Sequence, residues 1–246
     1  MFSIKIDGFE IGELLKITNV NRGGIAPVEN NFKQYAGLNG SRLISSRFAQ
    51  RPITIEFSCY DEVDEKWELV KRALTRNQVM QVVFGDFPDR YYNCVLDGET
   101  SFDKQNGRFA TGTISLVAPY PFAISMIETQ AVRDNNTLLF NNQGTARAFP
   151  IIEFTANQDY KMFGFTHPNG DLIQFGYASR QNPIINVGQR FIYDGRNNKA
   201  TIDGKTVYIS EGRGFTLAPS SKTQIGLTFP DALNQVVTGK LRSEFA

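Results

Sequence analysis

Near its start the chain alternates: Phe2, Ile4 and Ile6 are apolar, Ser3, Lys5 and Asp7 are polar, and Gly8 ends the run. Successive side chains of a strand point to opposite faces, so this period of two predicts a strand with one buried face. A hairpin partner is expected over 14–20. The same reading of RPITIEFSCY (51–60) puts Ile53, Ile55, Phe57 and Cys59 on one face and Thr54, Glu56 and Ser58 on the other. Residues 79–84, 91–97 and 108–117 add further strands, each bounded by Gly, Asp or Pro. Among them, Val63, Trp67, Val70 and Leu74 recur at the spacing of a helical stripe, which predicts one α-helix over about 61–77. Its first turns carry Asp61, Glu62, Asp64 and Glu65 and its last Lys71, Arg72 and Arg76, as the helix dipole favours.

Residues 21–50 hold neither period. Gly23, Gly24, Pro27, Gly37 and Gly40 interrupt them, yet Phe32, Tyr35, Leu38, Leu43, Ile44 and Phe48 are too many apolar groups for a solvated linker. Long structureless stretches are rare inside compact domains. The expectation is a long arm that folds against another subunit. Two prolines in APYPF (118–122) end the strand pattern, which divides the chain into an N-terminal β-domain over 1–125 and a second domain over 126–246. The second half recurs in short apolar runs at 149–155, 160–166, 171–175, 183–187, 190–194, 205–209 and 223–229, separated by Asn, Gly, Asp and Pro. That spacing predicts an antiparallel β-sandwich. The tail from Ala232 reads as a last strand or a short helix, with about the last 12 residues packing back on the first domain. The fold class is mainly β: a barrel or sandwich with one helix, then a sandwich.

Composition narrows the function classes. At 246 residues, two domains of ordinary size are expected, each able to bury an apolar core without disulfide or metal staples. Lys and Arg number 26 against 25 Asp and Glu, and neither half has the cationic excess that nucleic-acid binding requires. Two cysteines are too few for a secreted disulfide framework and fit folding in a reducing compartment. No apolar run approaches a membrane span, and the first residues lack the pattern of an export signal, so a soluble protein is expected.

Catalytic side chains are scarce. His167, the only histidine, lies in the turn sequence THPNGD, and Cys59 and Cys94 alternate with apolar residues as buried, unreactive thiols. One His and two such Cys do not build an ordinary zinc site. DGRNNKATIDGK lacks the glycine and glutamate of a calcium loop and reads as a pair of turns. Phosphate-binding loops are missing too, so no catalytic residue, metal or cofactor is assigned. A carboxylate pair for glycoside hydrolysis is the enzyme class that sequence leaves open. A sugar platform on Tyr160, Tyr177, Tyr193 or Tyr208 is a further alternative, which would make the chain a carbohydrate-binding module.

Three regions carry a resemblance. One is RFAQRPITIEFSCYDEVDEKWELVKRAL (47–74), a strand running into an amphipathic helix; the second is APYPF. The third runs from NNQGTARAFPIIEF (141–154) through NPIINVGQRFIYDGRNNKATIDGKTVYI (182–209) to GFTLAPSSKTQIGLTF (214–229). In order and spacing the chain resembles the distal tail proteins of long-tailed bacteriophages over nearly its whole length. It departs from them where Leu217-Ala218-Pro219 leads into Ser220-Ser221 instead of the frequent Gly. The resemblance implies a structural hub, a hexameric ring at the distal end of the virion tail, assembled in the bacterial cytoplasm. N-terminal domains would surround the channel and galectin-like sandwiches would project outward. The implied partners are further copies of the chain, the tail tube protein, a tail-associated lysin or spike, and receptor-binding or adaptor proteins. The length matches the short form, without an inserted carbohydrate-binding domain.

A ring interface joins two different patches, and an arm rich in aromatics and Arg can supply one. Phe32, Tyr35 and Phe48 are therefore the expected anchors, with Arg42, Arg47 and Arg51 pairing across the interface.

Overall fold

The computed structural model describes residues 2–37, 39–229 and 234–246, and the chain divides into two compact units, Met1–Ile124 with Ala246 and Ser125–Phe245. As expected, the fold is mainly β with one α-helix among the described residues.

The first unit contains β1 (Ile4–Ile6), β2 (Phe9–Glu10), β3 (Lys16–Asn21), β4 (Val28–Gln34), β5 (Ser41–Phe48), β6 (Arg51–Tyr60), α1 (Val63–Thr75), β7 (Met80–Phe84), β8 (Arg90–Leu96), β9 (Ser101–Asn106) and β10 (Phe109–Ala118). Its strands run in the order β2-β1-β7-β8-β10-β6-β3, with β9 also on β10. The β1–β2 turn is Asp7-Gly8, both with positive φ (48° and 83°), as a two-residue hairpin of this twist demands. β6 and β10 form the longest ladder, from Phe109↔Tyr60 to Ala118↔Arg51. Ile53, Ile55, Phe57 and Cys59 of β6 are buried, the face that alternation assigns to the core. The helix buries Val63, Val70 and Leu74, while Trp67 is half-buried and stacks on Phe102 at 4.7 Å and on Phe57 at 5.4 Å. The rings close the stripe against β6 and β9.

A short strand, β11 (Ala123–Ser125), runs across the boundary at Ile124. The second unit is built from β12 (Thr129–Gln130), β13 (Val132–Asp134), β14 (Thr137–Asn142), β15 (Pro150–Thr155), β16 (Met162–Thr166), β17 (Leu172–Gly176), β18 (Arg190–Asp194), β19 (Lys199–Ile202), β20 (Lys205–Val207), β21 (Glu211–Gly212), β22 (Ser221–Thr228), β23 (Val237–Leu241) and β24 (Glu244–Phe245). Two antiparallel sheets, β12-β23-β15-β18-β19-β20 and β13-β14-β22-β16-β17-β21, form a sandwich. Phe154 and Phe191 of one sheet meet Phe163 of the other at 5.1 and 4.9 Å, so the core is a stack of rings contributed by both layers.

One sequence expectation changes here. Residues 183–187 are not a strand: Ile185 is buried, but its backbone makes only an isolated bridge to Tyr160. The tail, read as a strand or a short helix, supplies through Val237–Leu241 the strand between β15 and β12. Ala232 and Leu233 lie outside the described residues.

The NNQG (141–144) and Leu217-Ala218-Pro219 segments of the resemblance are joined by one side chain. Asn142 is buried, its Nδ2 donating to the carbonyls of Ala146 (2.9 Å) and Ala218 (3.0 Å) while its Oδ1 accepts the Gly144 N–H (3.0 Å). Gly144 permits the close approach, since a Cβ there would overlap the main chain of Glu244. Glu244 is itself buried and ion-paired with Arg196.

Candidate subunit interface

Most of the stretch 21–50, expected to lack regular structure, folds into the antiparallel hairpin β4–β5. Its pairs run Val28↔Phe48, Glu29↔Arg47 and Asn30↔Ser46, then Phe32↔Leu43 and Lys33↔Arg42. The register shifts between Asn31 and Phe32, leaving Ile44 as an extra residue in a bulge. Cross-strand partners share a face. One face therefore carries Val28, Phe32, Leu43 and Phe48, and the other Glu29, Lys33, Arg42 and Arg47. Strands of seven and eight residues project about 23–26 Å at about 3.3 Å per residue.

Every residue of both strands is exposed, the apolar face included. Phe48 touches Phe122 edge-on at 4.8 Å, and Ala49 N–H donates to the Pro27 carbonyl at 2.8 Å to close the base. An isolated two-stranded hairpin is marginal in water, and an apolar face left open on one is an association surface.

The predicted interface residues separate into two groups. Phe32, Phe48, Arg42 and Arg47 stand together on the hairpin, and Tyr35 follows β4, its ring 5.3 Å from the Lys33 ammonium. Arg47 already pairs with Glu29 across the hairpin (2.7 Å), so its charge is met within the chain. Arg51 is a correction: it is only 3% exposed, with its guanidinium 5.4 Å over the Tyr92 ring and Nη1 donating to the Tyr92 hydroxyl (3.2 Å). Its Nε and Nη2 have no partner among the described residues. As the first residue of β6 it enters the core, so it does not reach across an interface. Leu38, counted among the arm's apolar residues, lies outside the described residues. Val28 belongs to the apolar face and was not among the expected anchors. Its pairing with Phe48 was hidden by the bulge.

Among the described residues no three His, Cys, Asp or Glu come together as a metal site. Burial pushes the Cys94 thiol up to about 12 and raises that of Cys59 as well. His167 sits in its turn with Nδ1 2.6 Å from Asn169 Oδ1. Of the four candidate sugar platforms, Tyr160 and Tyr193 are core residues, whereas Tyr177 and Tyr208 are exposed.

A family described as the phage tail protein RIFT-related domain matches residues 9–118. The Dit protein of phage SPP1, described as a paradigm of hub adsorption apparatus in Gram-positive-infecting phages, is similar over 100% of both chains, with a TM-score of 0.79 at 13% identity. A chain of the phage P2 baseplate in its activated conformation is similar at a TM-score of 0.52 with Ca and 0.51 with Sr, each at 12% identity. Those matches cover 99% and 98% of this chain and 98% of each P2 chain. No curated protein matches the sequence. Residues 9–118 are therefore similar to the phage tail protein RIFT-related domain, and the chain as a whole has the fold of SPP1 Dit.

Proposed function

We propose that this protein is the structural hub of a phage tail tip. Six copies form a ring through their N-terminal domains, joining the tail tube to a tail-associated lysin or spike, while the sandwiches, galectin-like in shape, dock receptor-binding or adaptor proteins. It acts by geometry and not as an enzyme, at the distal end of the virion tail, after assembly in the host cytoplasm. The reading is carried by the likeness to SPP1 Dit along both entire chains, and it is supported by the open apolar face of the β4–β5 hairpin. That hairpin supplies one of the two patches a cyclic ring needs, with Phe32, Tyr35 and Phe48 as anchors and Arg42 as a charge for the neighbouring copy.

Light scattering across concentration tests the ring: the monomer is 27.6 kDa, and six copies come to about 166 kDa. Growth toward the higher mass, alone or with a tail partner, is expected. A protein that stays monomeric with every tail partner contradicts the ring.

A second reading, carbohydrate binding at the host surface, is favoured by one observation. Tyr208 is 84% exposed, and the Tyr177 hydroxyl donates to the Ser210 carbonyl at 2.7 Å, holding a second ring on the same edge of the sandwich. Binding on a glycan array that is lost in Tyr208→Ala would support it; no binding removes it.

A further inference from the structure

We infer that the groove between α1 and the β1–β2 hairpin is a docking slot for a segment of another protein, one presenting a bulky apolar side chain flanked by carboxylates. Leu69, Arg72, Ala73 and Arg76 fall at i, i+3, i+4 and i+7 and so share one stripe of the helix. Facing them are the cross-strand pair Ile6 and Phe9. The groove between encloses about 200 Å³, smaller than the roughly 300–1,000 Å³ of small-molecule sites and suited to one inserted side chain. Its walls stay open to water: Phe9 is 39% and Leu69 41% exposed.

Charge selects the occupant. Arg72 and Arg76, at the end of the helix, complement its dipole, which explains why cations are there but not why they lack acids. Neither has a carboxylate partner among the described residues. The one carboxylate in the lining, Asp7, is committed to its own chain, accepting from Gln81 N–H (2.8 Å) and Asn77 Nδ2 (2.7 Å). Two free guanidinium forks beside an apolar slot match carboxylates placed next to an apolar side chain. The hairpin of a second copy does not fit, because Lys33 and Arg42 would meet Arg72 and Arg76. The slot thus offers the first unit a partner other than that hairpin.

The test uses the full-length protein and three fluorescein-labelled hexapeptides read by anisotropy: Glu-Asp-Phe-Leu-Asp-Glu, the same peptide with Gly-Ser replacing Phe-Leu, and Lys-Lys-Phe-Leu-Lys-Lys. The first should saturate below millimolar concentration, and the other two should bind at least tenfold more weakly. Arg72→Gln with Arg76→Gln should weaken the first peptide at least tenfold. Ala73→Trp, which fills the slot, should do the same, and Leu69→Ser serves if that variant fails to fold. Saturation by none of the peptides, equal binding of all three, or variants that bind like the parent would overturn the assignment.

Discussion

Truncation of Asn142 to Ala should destabilise the second unit by about 3 kcal/mol, a figure that follows from three hydrogen bonds at about 1 kcal/mol each. The side chain is buried, so the two carbonyls and one N–H it satisfies lose their partners where water reaches them poorly. With a urea slope of about 2 kcal/mol/M for a unit of this size, the midpoint falls by about 1.5 M. Two probes separate the units. Trp67 is the only tryptophan and belongs to the first, so its fluorescence reports that unit, whereas far-UV circular dichroism reports both. The dichroism transition should move down while the fluorescence transition stays in place. A shift below about 0.3 M, or an equal shift in both signals, would refute the view that this amide pins the 142–146 loop to Ala218.

Arg51→Met should raise the urea midpoint of the Trp67 signal, by about 1–3 kcal/mol of added stability, because it removes a buried cation with two unpartnered nitrogens; a loss of stability would show that the guanidinium is satisfied after all. Glu153 is held below the ordinary carboxylate range by hydrogen bonds from Lys240 and Arg190, so it contributes stability above about pH 4.5 that is lost as pH falls through its lowered folded value. Glu153→Gln should therefore flatten the acid limb of an unfolding-versus-pH curve, and an unchanged limb would count against the ion-pair geometry. Serine at Phe32, Tyr35 and Phe48 together should lower the mass of the assembly while leaving the monomer's melting within a few degrees, as the three side chains are exposed in the single chain. Unfolding of the isolated monomer would mean the hairpin belongs to its own core.

How much of this could be read from sequence depended on whether a local pattern kept its phase. β6 alternates over its middle without interruption, and α1 has a stripe, an acidic start and a basic end, so both were legible. The hairpin was not, because the bulge at Ile44 breaks the period of two and no burial enforces it. β14 was concealed by the polar turn residues before it, and β19 by being only four residues long between two turns. Residues 183–187 show the opposite error: PIINV has strand composition, but a single buried Ile185 does not need a ladder. Arg51 was misjudged because residue type alone grouped it with Arg42 and Arg47 as an interface cation. Its burial follows from the pairing of β6 with β10, a contact between residues far apart in the chain. The α1 groove needed the β1–β2 turn placed beside the helix, which no local pattern encodes.

Electron microscopy of intact phage particles carrying an antibody label on this protein addresses the central claim most directly. The hub account predicts label confined to the far tip of the tail, around a six-fold ring. Label along the tail shaft, at the head, or absent from the particle would contradict it.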